Sequence, residues 1–426
     1  MAGVSADPFV LLPERMAVEF HARASSWGWL DFKHDLRENL VTIAGFSDKE
    51  ARRFPYTGLF DRGHFMRYHP TNKFAGVWYR VDPTIHELHR VALLRGLPIG
   101  VDHLKDAAVQ GWRQPPSDAA WLTLTFSSTD EDSLWSAWWV THDAAMPTRS
   151  AIVREGDPLI YLRDSWPIDE LQDVTIPIIG VGSIGSTAAE ALASAGVGQI
   201  ILVDPDRLLQ HNLPRHRLTE RDVGRYKVSA MAGALTERHP NTAVEALVAD
   251  VAHDADLMRP LFAHATVVLC ATDGVQSRRV ANHLARRADT PIVFAAVLED
   301  GALGELVRVR SRSGCLLCLR RSLIDDGTLD PEPGLDQDYG TGTPHRPMTA
   351  APTDLRLIGE FATKAALATV LERKGRWSHR LPGDWAIVGL QPMPEMPPPF
   401  DLEEAGAIRW LDLPPRRDDC PTCAAP

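Results

Sequence analysis

The forty residues from Ile176 to Arg215 constrain the fold of this chain more than any other stretch. Two short β-branched runs, Ile176–Ile179 and Ile200–Val203, have the composition of buried parallel strands. Between them, Ser186–Ala195 is rich in small residues, so a helix there can pack closely on a sheet. The order strand, turn, helix, strand predicts a nucleotide-binding βαβ unit, and with it an α/β fold built on a Rossmann-like, mostly parallel sheet.

Three glycines fill the turn after the first predicted strand. Gly180, Gly182 and Gly185 occupy the glycine positions of G-x-G-x-x-G, which allow a tight turn, a close approach of backbone to phosphate and close packing of helix on strand. The helix N-terminus would offer N–H groups to an anion. Asp204 ends the second strand, where its carboxylate can accept hydrogen bonds from ribose hydroxyls. This fingerprint by itself equally fits a nicotinamide-dependent dehydrogenase.

A polar and cationic series beyond the second strand separates the two interpretations. Asp206, Asn212, Arg215 and Lys227 follow in order. A dinucleotide gains little from such cations, whereas a triphosphate attacked at its α-phosphorus needs them on the departing pyrophosphate. After another apolar strand comes Asp273, whose carboxylate suits Mg²⁺. The series therefore favours ATP and magnesium, and the alternative is an ordinary Rossmann sheet with solvated loop charges.

In this order the residues resemble the ThiF, MoeB and ubiquitin-activating (E1-like) enzyme superfamily, from about Thr175 to Lys374. The resemblance implies ATP-dependent adenylation of a carboxylate, usually the C-terminal glycine of a ubiquitin-like protein or sulfur carrier, by a homodimer. The roles that it implies, position by position, are ribose binding for Asp204, a polar contact beside the phosphates for Asn212, phosphate binding and charge stabilisation for Arg215 and Lys227, and magnesium binding for Asp273.

The chain also departs from the family pattern. Members of this type often carry a nucleophilic cysteine in the loop before a late helix, but residues 336–347 contain none, and no cysteine lies between Cys318 and Cys420. A thioester on that loop is therefore excluded. The acyl-adenylate would have to pass to an external nucleophile, which could be a conjugating enzyme's cysteine, a sulfur donor or an amine. His216 stands where the family often has glutamine.

Four of the five cysteines form two pairs of the Cys-x-x-Cys type, Cys315 with Cys318 and Cys420 with Cys423. Two such pairs can complete a tetrahedral Cys₄ zinc site even when far apart in sequence. A zinc site would also anchor the end of the chain, which follows the Pro-rich tether at 392–399. The alternative is a reduced or redox-active dithiol. The resembling family has the same paired pattern, where the zinc is structural.

Composition limits the remaining classes. At 426 residues and 44% hydrophobic, the chain can bury a large core, and we expect two domains, 1–165 and 166–426. A net charge of −11 disfavours a broad nucleic-acid surface. No apolar run reaches about 18 residues, so we expect no membrane span. Cysteines paired for zinc indicate a reducing cytoplasm.

The first 165 residues hold eight of the 12 tryptophans and no cysteine. Strands at 75–81, 121–126 and 134–141 and helices at 82–96 and 102–112 predict an α+β domain. We expect the tryptophans to pack in its core, and His86 and His89 to be structural rather than a metal pair. Recognition of the substrate protein or a partner enzyme is the predicted role.

The sequence thus predicts an activating enzyme of a bacterial-type ubiquitin-like conjugation pathway, with a ubiquitin-like protein or glycine-terminated peptide as substrate and a ubiquitin-conjugating-type enzyme as a candidate partner. Three alternatives remain open. A related adenylyltransferase could act on a peptide, a sulfur carrier or a modified tRNA. A dehydrogenase would bind NAD and ignore ATP. A non-catalytic scaffold would use the fold only to bind a partner.

Overall fold

The computed structural model describes residues 8–22, 24–35, 38–50, 52–55, 66–67, 76–128, 133–153, 158–298, 301–329, 350–392 and 395–424. The chain forms two compact units, Met1–Pro158 and Leu159–Pro426. The sequence places the division a few residues later, after residue 165. The loop at 336–347 lies outside the described residues. Among the helices that are described, none is both long and apolar enough to cross a bilayer.

The first unit is an α+β fold whose described strands form one sheet. The sheet has the order β11-β1-β3-β2-β6-β8-β9-β10-β7, with β4 beside β3 and β5 beside β2. The strands are β1 (Phe9–Pro13), β2 (Trp27–Asp35), β3 (Leu40–Ser47), β4 (Arg53–Pro55), β5 (Met66–Arg67), β6 (Gly76–Arg80), β7 (Ile99–Gly100), β8 (Trp121–Ser128), β9 (Ser133–Val140), β10 (Ala144–Thr148) and β11 (Ser150–Val153). The helices are α1 (Glu14–Ala22), α2 (Thr84–Arg95) and α3 (Val101–Ala107).

Hydrophobic clusters cover both faces of this sheet, because side chains alternate along each strand. On β6, Trp78 lies in the cluster beneath α1, whereas Tyr79 lies in the cluster beneath α2 and α3. On β9, Trp138 is fully buried on the second face. These positions confirm that tryptophans pack in the core. The predicted helix at 102–112 was too long, because α3 ends at Ala107 and the next residue bridges to Val81.

The second unit is the predicted α/β domain. Its strands are β12 (Thr175–Ile179), β13 (Gln199–Val203), β14 (Ala243–Leu247), β15 (Val268–Cys270), β16 (Ile292–Leu298), β17 (Leu303–Val309), β18 (Trp385–Gly389) and β19 (Ile408–Leu411). Its helices are α4 (Ile168–Gln172), α5 (Ser183–Ser194), α6 (Lys227–Arg238), α7 (Ala255–His264), α8 (Val275–Arg287), α9 (Leu316–Asp325) and α10 (Pro352–Arg373).

The sheet of this unit has the order β14-β13-β12-β15-β16-β17-β18-β19. The first five strands in that order pair in parallel, as expected for βαβ connections. From β16 onward the pairing is antiparallel, so the sheet is parallel on one side and antiparallel on the other. The parallel part matches the sequence prediction, and the antiparallel extension adds three strands that it did not include.

Two features hold the helices on this sheet. The long helix α10 lies against α5, where Gly359 allows the approach: a Cβ there would lie 2.7 Å from Cβ of Thr187 and 2.8 Å from the carbonyl oxygen of Ile184. On the opposite face, Glu305 of β17 forms a buried ion pair with Arg320 of α9. Charged groups of this kind tolerate burial because each satisfies the other.

Candidate functional site

The predicted nucleotide-binding residues lie at the carboxyl ends of the parallel strands. From β12 the chain passes through α5 to β13 on one side, and it returns from β14 through α7 to β15 on the other side of β12. Such a switch point opens a crevice at the carboxyl ends of the strands, where α/β sheets bind ligands. The glycine turn follows β12, Asp204 follows β13, and Asp273 comes three residues after β15.

Glycine suits each of the three positions in the turn for a different structural reason. Gly180 has φ of +86°, and a Cβ there would lie 3.0 Å from the backbone of Ala271. At Gly185, in the first turn of α5, a Cβ would overlap the carbonyl group of Gly180. A Cβ on Gly182 would meet no atom within 4 Å. The surface at Gly182 is therefore open at the N-terminus of α5, which is where a phosphate can approach the backbone.

Asp204 is buried, with 6% of its surface exposed, and its carboxylate binds the turn. The N–H of Val181 donates to Oδ2 at 2.7 Å, and the N–H of Asp206 donates to Oδ1 at 2.8 Å. Burial raises the pKa of Asp204, against the opposing effect of the nearby Lys227 ammonium. The residue that the sequence predicts as the ribose acceptor therefore also fixes the position of the glycine turn.

Lys227 is the first residue of α6, and its side chain is only about 10% exposed. Its Nζ lies 2.8 Å from Oδ2 of Asp206 and 4.0 Å from Oδ1 of Asp204. Its own N–H donates to the carbonyl oxygen of Asp206 at 2.9 Å. The structure thus brings the predicted phosphate-binding cation beside the predicted ribose-binding carboxylate, with Asp206 between the two elements.

Asn212 and Arg215 lie in the segment that joins β13 to α6. The side-chain oxygen of Asn212 accepts a hydrogen bond from the N–H of Leu209 at 2.9 Å and closes a short 3₁₀ turn. The N–H of Arg215 donates to the carbonyl oxygen of Asn212 at 3.1 Å. The Arg215 side chain is half-buried. Asn212 therefore shapes the backbone that presents Arg215.

His216 belongs to the same segment, and no role was predicted for it from the sequence. Its ring is 4% exposed and lies against the glycine turn: Nε2 is 2.8 Å from the carbonyl oxygen of Val181. The other nitrogen, Nδ1, accepts a hydrogen bond from the N–H of Leu218 at 3.1 Å. The signal in the sequence was its position next to Arg215, but nothing there indicates which backbone groups the ring reaches.

Asp273 is exposed and stands just before α8. A guanidinium nitrogen of Arg278, in the first turns of that helix, donates to the carbonyl oxygen of Asp273 at 2.8 Å. This hydrogen bond connects α8 to the loop that joins β15 to the helix. Asp273 thus lies at the same edge of the sheet as Asp204 and the glycine turn, where a carboxylate could hold a magnesium ion together with substrate phosphates.

The four paired cysteines meet in one cluster. The sulfur atoms of Cys315 and Cys318 are 3.8 Å apart, those of Cys315 and Cys420 are 3.6 Å apart, and those of Cys318 and Cys423 are 3.7 Å apart. All four sulfur atoms lie within 4.8 Å of one another. A tetrahedral zinc ion with Zn–S bonds of about 2.3 Å requires sulfur separations of about 3.8 Å. The donor set and spacing therefore fit zinc.

Backbone contacts near the cluster join the segment that precedes Cys315 to the segment that precedes Cys420. At Gly314, a Cβ would lie 3.0 Å from the carbonyl oxygen of Pro415, and the N–H of Gly314 donates to Pro414 at 3.1 Å. Arg409 of β19 donates to the carbonyl oxygen of Pro399 at 2.7 Å and anchors the Pro-rich tether, of which residues 393–394 lie outside the described residues. The C-terminal segment is thus attached at several points.

Two further sequence expectations concern single residues. Cys270 is buried in β15, and burial raises the pKa of its thiol, so it has the properties of a core residue and not of a nucleophile. In the first unit, His86 Nδ1 lies 2.8 Å from Ser136 Oγ and His89 Nε2 lies 2.9 Å from the carbonyl oxygen of Ala137. Both histidines contact the sheet, and burial lowers the pKa of each.

Comparison with known proteins shows which family this chain belongs to. The profile of the ThiF family matches residues 161–352. The molybdopterin-synthase adenylyltransferase of Salmonella typhimurium is 30% identical over 168 residues, 39% of this chain and 67% of that enzyme. The sulfur carrier protein ThiS adenylyltransferase of Escherichia coli is 32% identical over 151 residues, 35% of this chain and 59% of that enzyme.

Among solved structures, a crystal structure of Escherichia coli MccB with MccA-N7isoASN is similar at a TM-score of 0.45 and 20% identity, over 61% of this chain and 69% of that chain. The ThiF profile match lies within the second unit. The chain spans about three fifths of the length of the ThiS enzyme. The profile match and the identity over two thirds of the Salmonella enzyme show that this chain belongs to the ThiF family of adenylyltransferases.

Proposed function

We propose that this chain uses ATP to adenylate the C-terminal carboxylate of a ubiquitin-like protein, and that it hands the acyl-adenylate to an external nucleophile. The observation that carries the proposal is the convergence at one sheet edge of the open glycine turn at Gly182, the Asp204 carboxylate, the Lys227 ammonium and the Asp273 carboxylate. An anion site, a ribose acceptor, a cation and a metal-binding carboxylate are the groups that such a reaction requires.

In the proposed reaction, an oxygen of the substrate carboxylate attacks the α-phosphorus of ATP. The bond from that phosphorus to the bridging oxygen of the β-phosphate breaks, and pyrophosphate leaves with the electron pair of that bond. The product is a mixed anhydride of the carboxylate and AMP. The turn at Gly182 would bind phosphate through backbone N–H groups, and Asp204 would orient the ribose.

Arg215 and Lys227 would stabilise the charge that develops on the departing pyrophosphate. Lys227 suits this role because its ammonium is already held near the site by Asp206. Asp273 would hold Mg²⁺, which supplies charge neutralisation to the triphosphate when bound. Holding carboxylate and ATP in line lowers the entropic part of the barrier, and this is the general advantage of binding both substrates together.

In this proposal the acceptor of the acyl group comes from outside this chain. Cys270 is buried in β15, and the four other cysteines form the zinc-type cluster. The chain has five cysteines in all, so none is left for a thioester. We propose a conjugating enzyme's cysteine as the acceptor, in a bacterial-type ubiquitin-like pathway. The first unit, without cysteine, would recognise the substrate protein or that enzyme, and the active form would be a homodimer.

The test is ATP–pyrophosphate exchange with purified full-length protein. Exchange should require a small glycine-terminated protein encoded beside this chain's gene, or a synthetic peptide ending in Gly-Gly. Asp273→Ala should abolish exchange, whereas Asp256→Ala, at an exposed carboxylate in the first turn of α7, should leave it unchanged.

Three other results of these experiments would change the proposal. Exchange that persists in Asp273→Ala would remove the proposed magnesium role. Exchange with a sulfur carrier, an unrelated peptide or a tRNA in place of a ubiquitin-like protein would keep the chemistry and replace the substrate. Calorimetry that detects NAD but not ATP would refute adenylation altogether.

A further inference from the structure

Val181, between the first two glycines of the turn, is held by two buried side chains from the same connecting segment. Its N–H donates to Oδ2 of Asp204 at 2.7 Å, and its carbonyl oxygen lies 2.8 Å from Nε2 of His216. Val181 itself is fully buried. Its backbone therefore has a partner on each side, and the orientation of the next peptide, which carries the N–H of Gly182, is fixed by these two contacts.

The protonation of His216 follows from its contacts. Because Nδ1 accepts a hydrogen bond from the N–H of Leu218, it carries no proton, and Nε2 must be the N–H that donates to Val181. Burial lowers the pKa of His216 to about 4, so the ring is neutral at physiological pH. A neutral ring in this one tautomer satisfies both backbone groups at once.

We propose that His216 is a positioning residue for the phosphate-binding turn: it holds the carbonyl of Val181 so that the N–H groups at the N-terminus of α5 point toward the nucleotide phosphates. The inference rests on the proposed function, since it assigns phosphates to this turn. His216 itself does not contact the nucleotide. It acts through Val181, together with Asp204 on the opposite side.

The physical reason is preorganisation. Backbone donors stabilise an anion best when their orientation is fixed before binding, because no free energy is then spent on ordering them. Without the His216 contact, the carbonyl of Val181 would lose its partner in a buried position, and the peptide could rotate to find another. In the proposed function Asp204 orients the ribose, so the adenosine part of the ligand would lie on the Asp204 side of the site. Loss of His216 should therefore weaken binding of the phosphates specifically.

Two amide variants separate the two hydrogen bonds of the ring. The amide nitrogen of glutamine can take the place of Nε2, so His216→Gln keeps a donor for Val181. The amide oxygen of asparagine can take the place of Nδ1, so His216→Asn keeps only the acceptor for Leu218. His216→Ala removes both. His211→Ala, at an exposed histidine of the same segment, is the matched control.

The assay is calorimetric binding of ATP and of adenosine to each full-length variant. We expect His216→Ala and His216→Asn to weaken ATP binding by about tenfold while adenosine changes by less than about twofold. His216→Gln and the His211→Ala control should bind ATP as the unaltered protein does. Hydrogen exchange at the amides of residues 181–183 should be faster in the Ala and Asn variants, and this readout does not depend on any ligand.

The outcomes distinguish this inference from the proposed function. If ATP binds the unaltered protein and binds His216→Asn equally well, the positioning role is refuted and the function stands. Equal losses of ATP and adenosine affinity also refute it, because they indicate general structural damage. If the unaltered protein does not bind ATP, the proposed function is refuted. Should His216→Ala fail to fold, the comparison of the Gln and Asn variants decides the question.

Discussion

The glycine turn allows stability and ligand binding to be tested separately, because its glycines have different surroundings. At Gly185 a Cβ would lie 3.0 Å from the carbonyl carbon of Gly180 and closer still to its oxygen. Ordinary contacts are about 3.5–4.0 Å, and both sides of this one are backbone, so neither can move aside cheaply. We expect Gly185→Ala to cost about 3 kcal/mol in the free energy of unfolding, the upper part of the usual range for overpacking.

For a unit of this size, that loss corresponds to a fall of roughly 6–12 °C in melting temperature. Gly182→Ala should behave differently, because its Cβ would meet no protein atom within 4 Å. Its stability should change by less than about 0.5 kcal/mol. ATP affinity should nevertheless fall about tenfold or more, since the methyl group would occupy the approach of the phosphate.

Gly233→Ala provides the matched control. Gly233 lies in the interior of α6, is exposed, and has open space where a Cβ would be. Alanine there should stabilise the fold by about 0.5–1 kcal/mol without affecting ATP. Thermal denaturation and ATP calorimetry on the three variants give the answer. A Gly185→Ala protein as stable as the unaltered one would refute the packing argument, and a Gly182→Ala protein with unchanged ATP affinity would refute the phosphate site.

Three further measurements test other parts of the structure. Metal analysis should find one zinc ion per chain. The double variant Cys420→Ser, Cys423→Ser should lose this zinc, and its C-terminal segment should become sensitive to proteolysis. An unchanged metal content in the double variant would exclude the Cys₄ site. Arg320→Ala should destabilise the second unit by about 3–5 kcal/mol in denaturant titrations, because it leaves Glu305 buried and unpaired; a loss below 1 kcal/mol would contradict this. His216 should contribute a fall in stability of up to about 3 kcal/mol as pH decreases from about 6.5 to about 4, since the unfolded chain binds its proton first. His216→Gln should make that fall smaller without abolishing it, because burial also lowers the pKa of His86 to about 4.

The parallel part of the sheet could be predicted because its strands and turns have local signals. The β-branched runs at 176–179 and 200–203 and the three glycines fix a βαβ unit within forty residues. The antiparallel part could not be predicted in the same way. Strands β16 and β17 are both buried, and their direction depends on the connection between them. In β17, Glu305 and Arg308 resemble exposed positions, yet both are buried because Arg320, Glu372 and Asp384 pair with them.

The cysteine cluster could be predicted from the sequence, whereas the hydrogen bond between His216 and Val181 could not. Two Cys-x-x-Cys motifs predict that their cysteines meet, because each motif can supply two of the four ligands that a tetrahedral zinc ion takes. The contact of His216 with Val181 joins one side chain to a backbone carbonyl 35 positions away, and a carbonyl has no identity in the sequence. Any residue could supply it, so no pattern indicates the pair.

The contacts of Asp204 and Lys227 bear on how the site meets its ligand. Asp204 holds the turn through Val181, and Lys227 is held between Asp206 and Asp204. In the proposed function, a triphosphate would compete with Asp206 for the ammonium of Lys227, but it would not need to order the turn or the lysine. Binding would then replace one charge contact of Lys227 with another at fixed geometry, which is the condition under which a cation stabilises developing charge most effectively. We therefore expect the site to prefer a ligand with phosphates, because a ligand without them offers no anion to replace Asp206 at Lys227.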